Sequence, residues 1–461
     1  MNESIPAPKN MRSFVTIWLG QVISILGSGL TGFGLAVWIY DQTGQATPFA
    51  LTALFSSLPQ VLLSPIAGSF ADRYNRRRIM ILADTGAAVV TLMAALLIFS
   101  ESLQIWHIYL IALFSAIFSA FQEPAYLAST TMLVPKKDLA RSSGMMQMGQ
   151  AISSILTPVI AGALYGFIGL KGIILIDAAT YLFAIGALLM VHIPQPKVVT
   201  AKTKDEKKSI WKDAFFGWNY LRLRPGLFGL LLYFAMVNFF LNVSGVMMGP
   251  LILSFGTPTE LGVVQTVFGV SMLIGSLIMS AWGGPQRRVR WLFGTIALAI
   301  SGMLVTGLQA NIWFIASGAF ILMFFVPIAS SLSQAIFQSK VAPGVQGRVF
   351  AIRRMISQSI MPIAYLISGP LADRVLNPLL VEGGALSNTF VGDILGVGPA
   401  RGIGLMFVLS TLFGWAATLV AYANPRIRLV DDELPDALPD APQDSPGDSE
   451  LAEAVEPSFA D

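Results

Sequence analysis

Twelve predominantly apolar runs, each roughly 20 residues or longer, divide this chain into segments that can cross a bilayer. They lie near residues 14–40, 48–71, 79–99, 106–127, 143–166, 172–192, 227–254, 260–282, 291–309, 312–334, 349–376 and 403–423. Only 12% of the 461 residues are charged, about half the fraction of an average soluble protein. Since α-helices satisfy their own backbone groups in lipid, the pattern predicts an all-α membrane protein of twelve transmembrane helices.

The basic residues lie almost entirely on one side of these runs. If both termini are cytoplasmic, only Lys171, Arg374 and Arg401 of the 29 lysine and arginine residues lie outside. This bias agrees with the positive-inside rule. The first residues are polar and show no signal-peptide pattern. We therefore expect a multi-pass protein with both termini in the cytoplasm.

The two halves of the chain resemble each other. Arg287, Arg288 and Arg290 follow the eighth run as Arg76 to Arg78 follow the second, and Pro362 in the eleventh run corresponds to Pro158 in the fifth. Such internal repeats are typical of transporters whose site lies between two halves. We predict pseudo-symmetric six-helix bundles over residues 1–193 and 226–424.

Two segments outside these bundles have different compositions. The linker 194–225 is rich in lysine and is predicted to be cytoplasmic. Within it Trp211, Phe215, Trp218 and Leu221 recur at helical spacing, which predicts an amphipathic helix that lies either on lipid or against the helix ends. The tail 425–461 is acidic and contains repeated prolines, so it is predicted to be disordered.

A short, highly charged turn, residues 68–78, separates the second run from the third. Gly68 allows helix ends to approach closely, and the Asp72 carboxylate can accept bonds from a helix N-terminus or an arginine. We predict a conformational latch that opens and closes; a plain topology signal is the alternative. Its members are Gly68, Asp72, Arg73, Arg76 and Arg77, with Arg141, Arg348 and Arg353 as partners.

Carboxylates inside the predicted spans are few. Asp84, Glu123 and Asp177 are candidates for proton coupling, because an intramembrane carboxylate is costly and burial favours its protonated form. Each has a structural alternative: a bond to a neighbouring helix for Glu123, pairing with an inner-face arginine for Asp84, and a helix N-cap or interhelical bond for Asp177. Pro124 follows Glu123 directly and would free a carbonyl beside it.

The charged turn resembles the loop between helices 2 and 3 of the major facilitator superfamily, Gly-x-x-x-Asp-Arg-x-Gly-Arg-Arg. Gly68, Asp72, Arg73, Arg76 and Arg77 match this pattern, and Asn75 replaces its second glycine. Tyr74-Asn75-Arg76, Pro124-Ala125, Leu133-Val134-Pro135 and residues 369–373 resemble the macrolide-efflux branch of the drug:proton antiporters. The resemblance spans nearly the whole chain except the acidic tail.

The resemblance implies a bacterial inner-membrane exporter of hydrophobic or amphiphilic small molecules, driven by proton antiport and alternating access. It implies a monomer that contacts substrate, protons and membrane lipid, without nucleic acid, cofactor or metal. Helix-bending residues would be Pro158, Gly162 and Pro362, and substrate-cavity candidates are Gln21, Asn238, Asn242 and Gln265. Thr157 replaces a motif glycine, and residues 121–126 lack the arginine of the fourth-helix antiporter motif. Both departures weaken the implication of antiport.

Other classes of function fit the sequence less well. There is no Gly-x-x-x-x-Gly-Lys-Ser/Thr pattern for an ATP motor, no grouping typical of a hydrolytic site, and no cysteine. We therefore expect a transporter and not an enzyme. Export of an endogenous siderophore or lipid-like metabolite is an alternative. A transporter-derived sensor or scaffold is a third, more distant hypothesis.

Overall fold

The apolar runs fold as long helices joined mostly by short turns. The computed structural model describes residues 11–135, 138–191, 193, 218–285, 287–341 and 345–434. Its helices are α1 (Arg12–Thr43), α2 (Ala46–Arg73), α3 (Arg76–Phe99), α4 (Ile105–Leu133), α5 (Leu139–Met190), α6 (Pro225–Leu253), α7 (Pro258–Trp282), α8 (Arg288–Leu308), α9 (Ile312–Lys340), α10 (Gln346–Pro370), α11 (Phe390–Leu395), α12 (Arg401–Ala423), α13 (Pro425–Arg428) and α14 (Val430–Glu433). A π-helical turn, Leu371–Leu376, and a 3₁₀ helix, Asn377–Leu379, continue α10.

Helix α5 supplies two of the twelve crossings. Its 52 residues would extend about 78 Å as a straight helix, more than twice the roughly 30 Å hydrocarbon core. Gly169, at φ 62° and ψ −171°, breaks it into arms 139–168 and 170–190, because glycine alone adopts this backbone conformation readily. Among the described residues eleven helices are long and apolar enough to span a membrane, and the division of α5 brings the crossings to twelve.

Several helix boundaries follow from local capping. Gly44 ends α1 in the left-handed conformation, at φ 61°. Asn75 lies at φ −64° and its side-chain oxygen accepts the N–H of Arg78 at 3.1 Å. The glycine of the family pattern is therefore replaced here by an N-cap for α3, and not by a left-handed turn residue. Thr257 and Glu260 form a capping box at the start of α7.

The helices form two six-helix bundles, one from α1–α5 and one from α6–α10 with α12. We call the end that carries Arg76–Arg78 the basic end. At the opposite end the bundles meet backbone to backbone: a Cβ on Gly262 would lie 2.3 Å from the Pro158 carbonyl oxygen, and one on Gly369 would lie 2.5 Å from Thr47 Cα. Gly162 fits against Pro258 in the same way. These glycines allow α5 to contact α7, and α2 to contact α10, without intervening side chains.

The bundles separate towards the basic end. A Cβ on Gly68 in α2 or on Gly347 in α10 would meet no atom of the described residues within 4 Å. A cavity of about 290 Å³ lies between α2, α4 and α10 here. Gly68 therefore borders open space in this conformation, and the close helix approach predicted at this residue stays a prediction for the closed state of the latch.

The described part of the linker packs against the protein. Trp218 contacts the Phe228 ring edge-to-face at 5.3 Å, and Leu221 is fully buried. Both belong to an apolar cluster with α6, α8 and α9. This agrees with packing against helix ends as the interpretation of residues 218–222; the rest of the predicted amphipathic helix lies outside the described residues.

Residues 425–434 form a strap across the basic end of the C-terminal bundle. Ile427 is buried beside Gly229, and Val430 is fully buried. The Asp431 carboxylate accepts the N–H of Val289 at 2.8 Å, and Lys340 donates to the Asp431 carbonyl at 2.9 Å. The prediction that a disordered tail begins at residue 425 is therefore wrong, because apolar side chains anchor its first ten residues. Residues 435–461 lie outside the described residues.

Candidate functional site

A polar cavity of about 740 Å³ lies against the N-terminal bundle. Residues from α1, α2, α4 and α5 line it, among them Trp18, Gln21, Gln60, Gln122, Glu123, Tyr126, Gln147 and Gln150. Five glutamines in one wall provide both donors and acceptors. Glu123 is exposed to this space, and no described residue hydrogen-bonds to its carboxylate. The interhelical bond considered as the alternative for Glu123 is absent from the described contacts.

The same carboxylate also borders the 290 Å³ cavity between the bundles. Glu123 contributes from α4, and Arg354 and Gln358 contribute from α10. Within the described residues the only ion pair joins Lys171 to Glu101, so Glu123 and Arg354 line one space without being bonded. A solute in this cavity could contact both bundles at once.

Asp84 lies behind the glutamine wall, connected to it by amides. Gln122 donates to Gln21, and Gln21 donates to the Asp84 carboxylate at 3.2 Å. Asp84 is only 4% exposed. The expected pairing of Asp84 with an inner-face arginine is wrong: Arg77, for example, instead caps the Leu188 carbonyl at the end of α5.

Further along the same bundle lies Asp177, within the second arm of α5 and 1% exposed. Thr91 of α3 and Thr180 each donate to its carboxylate at 3.4 Å. Asp177 is therefore an interhelical hydrogen-bond acceptor and not a helix N-cap. Tyr181 follows Asp177 by one helical turn, and its hydroxyl lies 2.9 Å from that of Ser28 on α1. Both residues line a cavity together with Asp84.

A small cavity connects these groups to the glutamine wall. It has a volume of about 160 Å³ and is lined by Gln21, Ser24, Ser28, Asp84, Gln122 and Tyr181. Polar residues on one face of α1 thus form a file inside the N-terminal bundle. The file runs from the large cavity to Asp84, and it continues through Ser28 and Tyr181 towards Asp177.

Arg76, Arg77 and Arg353, three of the predicted latch residues, have contacts within their own bundles. Arg76 donates to the Ala128 carbonyl at 2.7 Å, and Arg77 donates to the last carbonyls of α5. Arg353 donates to Ser333 and Gln334 on α9. Arg141 is exposed at the start of α5. The side chains of Asp72, Arg73 and Arg348 lie outside the described part of the structure.

The remaining candidates occupy different positions. Asn238 lines a pocket of the C-terminal bundle, and Asn242 donates to the Asn238 carbonyl at 2.8 Å. Gln265 is half-buried on α7. Pro158 and Gly162 lie at the contact between α5 and α7, while the dihedral break in α5 falls at Gly169. Pro362 lies inside α10.

The opposite end has a contact between bundles that sequence reasoning missed. The Asp373 carboxylate, just beyond α10, accepts the N–H of Ala46 at 3.0 Å, the N–H of Thr47 at 2.7 Å and the Thr47 hydroxyl at 2.6 Å. A carboxylate placed at the first N–H groups of α2 is stabilised by both hydrogen bonds and the helix dipole. Asp373 therefore joins the two bundles at this end.

A repeated pattern could have revealed this contact. Gly68-Ser-Phe-Ala-Asp-Arg73 forms the last residues of α2, and Gly369-Pro-Leu-Ala-Asp-Arg374 covers the end of α10 and the π-helical turn after it. Both segments place an aspartate four residues after a glycine at the end of a helix that faces the other bundle. The comparison of the two halves paired the second span with the eighth, whereas this repeat relates the second span to the eleventh. The contact of Asp373 was therefore not predicted.

The fold agrees with what comparison with known proteins shows. A sequence profile described as the Major Facilitator Superfamily matches residues 17–365. The chain belongs to this superfamily. It is 29% identical over 366 residues to macrolide efflux protein A of Streptococcus pyogenes, covering 78% of this chain and 90% of the relative. The resemblance to the macrolide-efflux branch is thus confirmed.

Two further similarities place this Major Facilitator chain more broadly. It is 25% identical over 315 residues to the enterobactin exporter EntS of Shigella flexneri, covering 64% of this chain and 74% of the relative. A solved bacterial homologue of the human lysosomal transporter Spinster, described as inward-facing and occupied, superposes with a TM-score of 0.66 at 17% identity, covering 92% of this chain and 99% of that one. The predicted twelve-helix, two-bundle fold is confirmed, and the chain is a multi-pass membrane transporter.

Proposed function

We propose that this Major Facilitator chain is a secondary active exporter of hydrophobic or amphiphilic small molecules. The observation that carries the proposal is a cavity bordered by both bundles, open at the basic end and closed at the opposite end by Asp373 and the glycine contacts. The positive-inside rule supports a cytoplasmic location for the basic end. The cavity would then take up solutes from the cytoplasm or the inner leaflet of a bacterial inner membrane.

The transport cycle would be alternating access between the bundles of residues 1–193 and 226–424. Opening at the far end requires the contacts of Asp373 to break and the basic end to close. Closure would bring Asp72 at the end of α2 towards the N-terminus of α10, where Arg348 lies. The geometry of Asp373 supports this proposal, because the repeated segment would then cap the partner helix at either end.

Proton antiport would use the carboxylates of the N-terminal bundle. Glu123 is in the cavity, where substrate and a proton would compete for it. Asp84 is separated from that cavity by the Gln21 and Gln122 amides, so a proton could reach it only after these amides or a water move. Glu123 is therefore proposed as the coupling residue and Asp84 as a second proton site.

The wall chemistry supports an amphiphilic substrate. Glutamines and Glu123 on one side can bind hydroxyl and amine groups, as a glycosylated base would present. The macrolide-efflux relative favours such a drug, whereas the enterobactin exporter relative favours an endogenous siderophore as the second candidate. We propose that the protein acts as a monomer in contact with lipid.

Transport into inverted membrane vesicles tests the proposal. With a radiolabelled macrolide as probe, we expect uptake driven by an imposed pH gradient and abolished by a protonophore. Glu123→Gln should lose most of this uptake, whereas Glu382→Gln, the same change in the exposed outer loop, should retain it. A panel of siderophores and lipids examined in parallel would identify the second candidate.

Orientation is tested by reporter fusions. Reporters fused after residues 193 and 434 should read cytoplasmic, and one within residues 383–392 should read external.

Export driven equally well without a proton gradient would contradict antiport. No movement of any probe in correctly oriented vesicles would favour the sensor or scaffold hypothesis.

A further inference from the structure

A separate pocket lies inside the C-terminal bundle. It has a volume of about 210 Å³ and is bordered by α6, α8, α9 and α10. Most of its lining is apolar, including Phe234, Ile296 and Ile300. Its polar groups are Asn238, Ser330, Arg353 and Ser357, and none of its lining residues belongs to the cavities on the N-terminal bundle. The pocket is thus an independent feature with one charged side chain.

The guanidinium of Arg353 is held firmly but is not neutralised. It donates to Ser333 Oγ and, at 3.1 Å, to Gln334 Oε1, and it lies 4.6 Å from the centre of the Phe337 ring. Among the described residues the only ion pair joins Lys171 to Glu101. No described carboxylate therefore lies within ion-pair distance of Arg353. Neutral acceptors occupy two of the five N–H groups that a guanidinium offers.

The neighbouring hydroxyls add to this donor capacity. Ser330 and Ser357 line the same pocket, and neither has a hydrogen-bond partner among the described residues. Asn238 directs its amide N–H to its own helix, at 2.8 Å from the Phe234 carbonyl. The pocket therefore combines an uncompensated cation, two free hydroxyl donors and apolar walls.

A partly buried cation without a counter-ion favours an anionic ligand, since charges removed from water need a partner. The planar guanidinium matches the oxygen pairs of carboxylate, sulfonate and phosphate groups. We propose that this pocket is a subsite for the acidic group of an amphiphilic organic anion, with Arg353 as the residue that recognises it. The proposal rests on the proposed export function and extends its substrates to organic acids.

A pair of fluorescent probes tests this subsite. The full chain in phosphatidylcholine nanodiscs is titrated with 8-anilinonaphthalene-1-sulfonate and with N-phenyl-1-naphthylamine, which has the same rings without the sulfonate. Arg353→Gln should weaken sulfonate binding at least tenfold and change binding of the neutral probe less than twofold. Arg290→Gln, the same change at an exposed arginine of α8 that lines none of these cavities, should change both affinities less than twofold.

Two further variants separate charge from shape. Arg353→Lys keeps the charge without the planar fork and should give an intermediate sulfonate affinity. Ala235→Phe fills the pocket and should weaken both probes while leaving Arg353 in place. Folding of each variant is checked by size-exclusion chromatography before titration.

Equal losses of sulfonate binding for Arg353→Gln and Arg290→Gln, or equal losses of both probes for Arg353→Gln, would overturn the proposal. Unchanged sulfonate binding with altered access at the basic end would assign Arg353 to the latch alone, and would also overturn it. Selective loss of sulfonate binding in a protein that exports nothing would keep the subsite and refute the transport function. The two proposals therefore fail separately.

Discussion

Asp373→Asn should shift the protein away from the conformation described here. The carboxylate accepts three bonds from Ala46 and Thr47 across the bundle boundary. Asparagine keeps the size and one acceptor oxygen but removes the charge. Since hydrogen bonds to charged groups contribute about 1.5–3 kcal/mol, and each 1.4 kcal/mol is about tenfold in an equilibrium constant, we expect a roughly 10- to 100-fold shift towards opening at the opposite end.

Site-specific labelling measures this shift without interference, because the chain contains no cysteine. Ala50 is fully buried in the apolar cluster that joins the bundles, so Ala50→Cys should react slowly with a membrane-impermeant maleimide added outside. In the Asp373→Asn background its labelling rate should rise about tenfold or more. Ser64→Cys, which lines the cavity at the basic end, should become less reactive.

Two controls keep the interpretation specific. Asp393→Asn makes the same change at an exposed position of α11 and should leave both labelling rates unchanged. Gly369→Ala places a methyl group against Thr47 and should open the same end by steric conflict. If Ala50→Cys responds to Gly369→Ala but not to Asp373→Asn, the bonds of Asp373 contribute nothing to closure and the reasoning is refuted.

Two other predictions concern stability. Truncation after Leu434 should preserve folding and transport. Truncation after Leu429 removes Val430 and the Asp431 cap, and it should lower the melting temperature by several degrees in detergent. Equal melting curves for the two truncated proteins would contradict a structural role for the strap. Arg401, 5% exposed, donates to the Leu308 carbonyl at 3.0 Å at the end of α8. Arg401→Gln should lower the free energy of unfolding by about 1.5–3 kcal/mol. The measurement is a melting temperature lower than that of the exposed control Arg374→Gln.

The fold could be predicted from the sequence because bilayer thickness and backbone satisfaction leave few choices. Each apolar run became a membrane crossing, and the kink at Gly169 is consistent with the separate fifth and sixth runs. The start of the tail was mispredicted for a physical reason as well. The prediction of disorder used the mean acidic composition of the tail, whereas two individual apolar residues, Ile427 and Val430, are buried and anchor its first part.

Side-chain partners were much harder to predict. Asp84 lies six residues beyond Arg78 in sequence, yet its bond goes to Gln21 of α1. This hydrogen bond depends on which faces of α1 and α3 point towards each other. The sequence does not show these faces clearly, because both helices are apolar nearly all the way round. Glu123 was found because a carboxylate in an apolar run is costly wherever it points. Asp373 was missed because the two halves were compared only at their arginine clusters and prolines, and the segment of Asp373 was not compared with that of Asp72.

The relation between Asp72 and Asp373 suggests a more specific geometry for the proposed latch than arginine pairing alone. Asp373 contacts backbone N–H groups at the start of α2, so we predict that Asp72 contacts the start of α10, the helix end that carries Arg348, when the basic end closes. Asp72→Asn should therefore destabilise the state closed at the basic end, in the opposite sense to Asp373→Asn. Ser64→Cys should become more reactive in Asp72→Asn, transport should fall, and the double variant should restore a labelling rate near that of the parent. If the double variant instead labels Ser64→Cys at the rate of the Asp72→Asn single variant, the two ends are not coupled through one rocking motion.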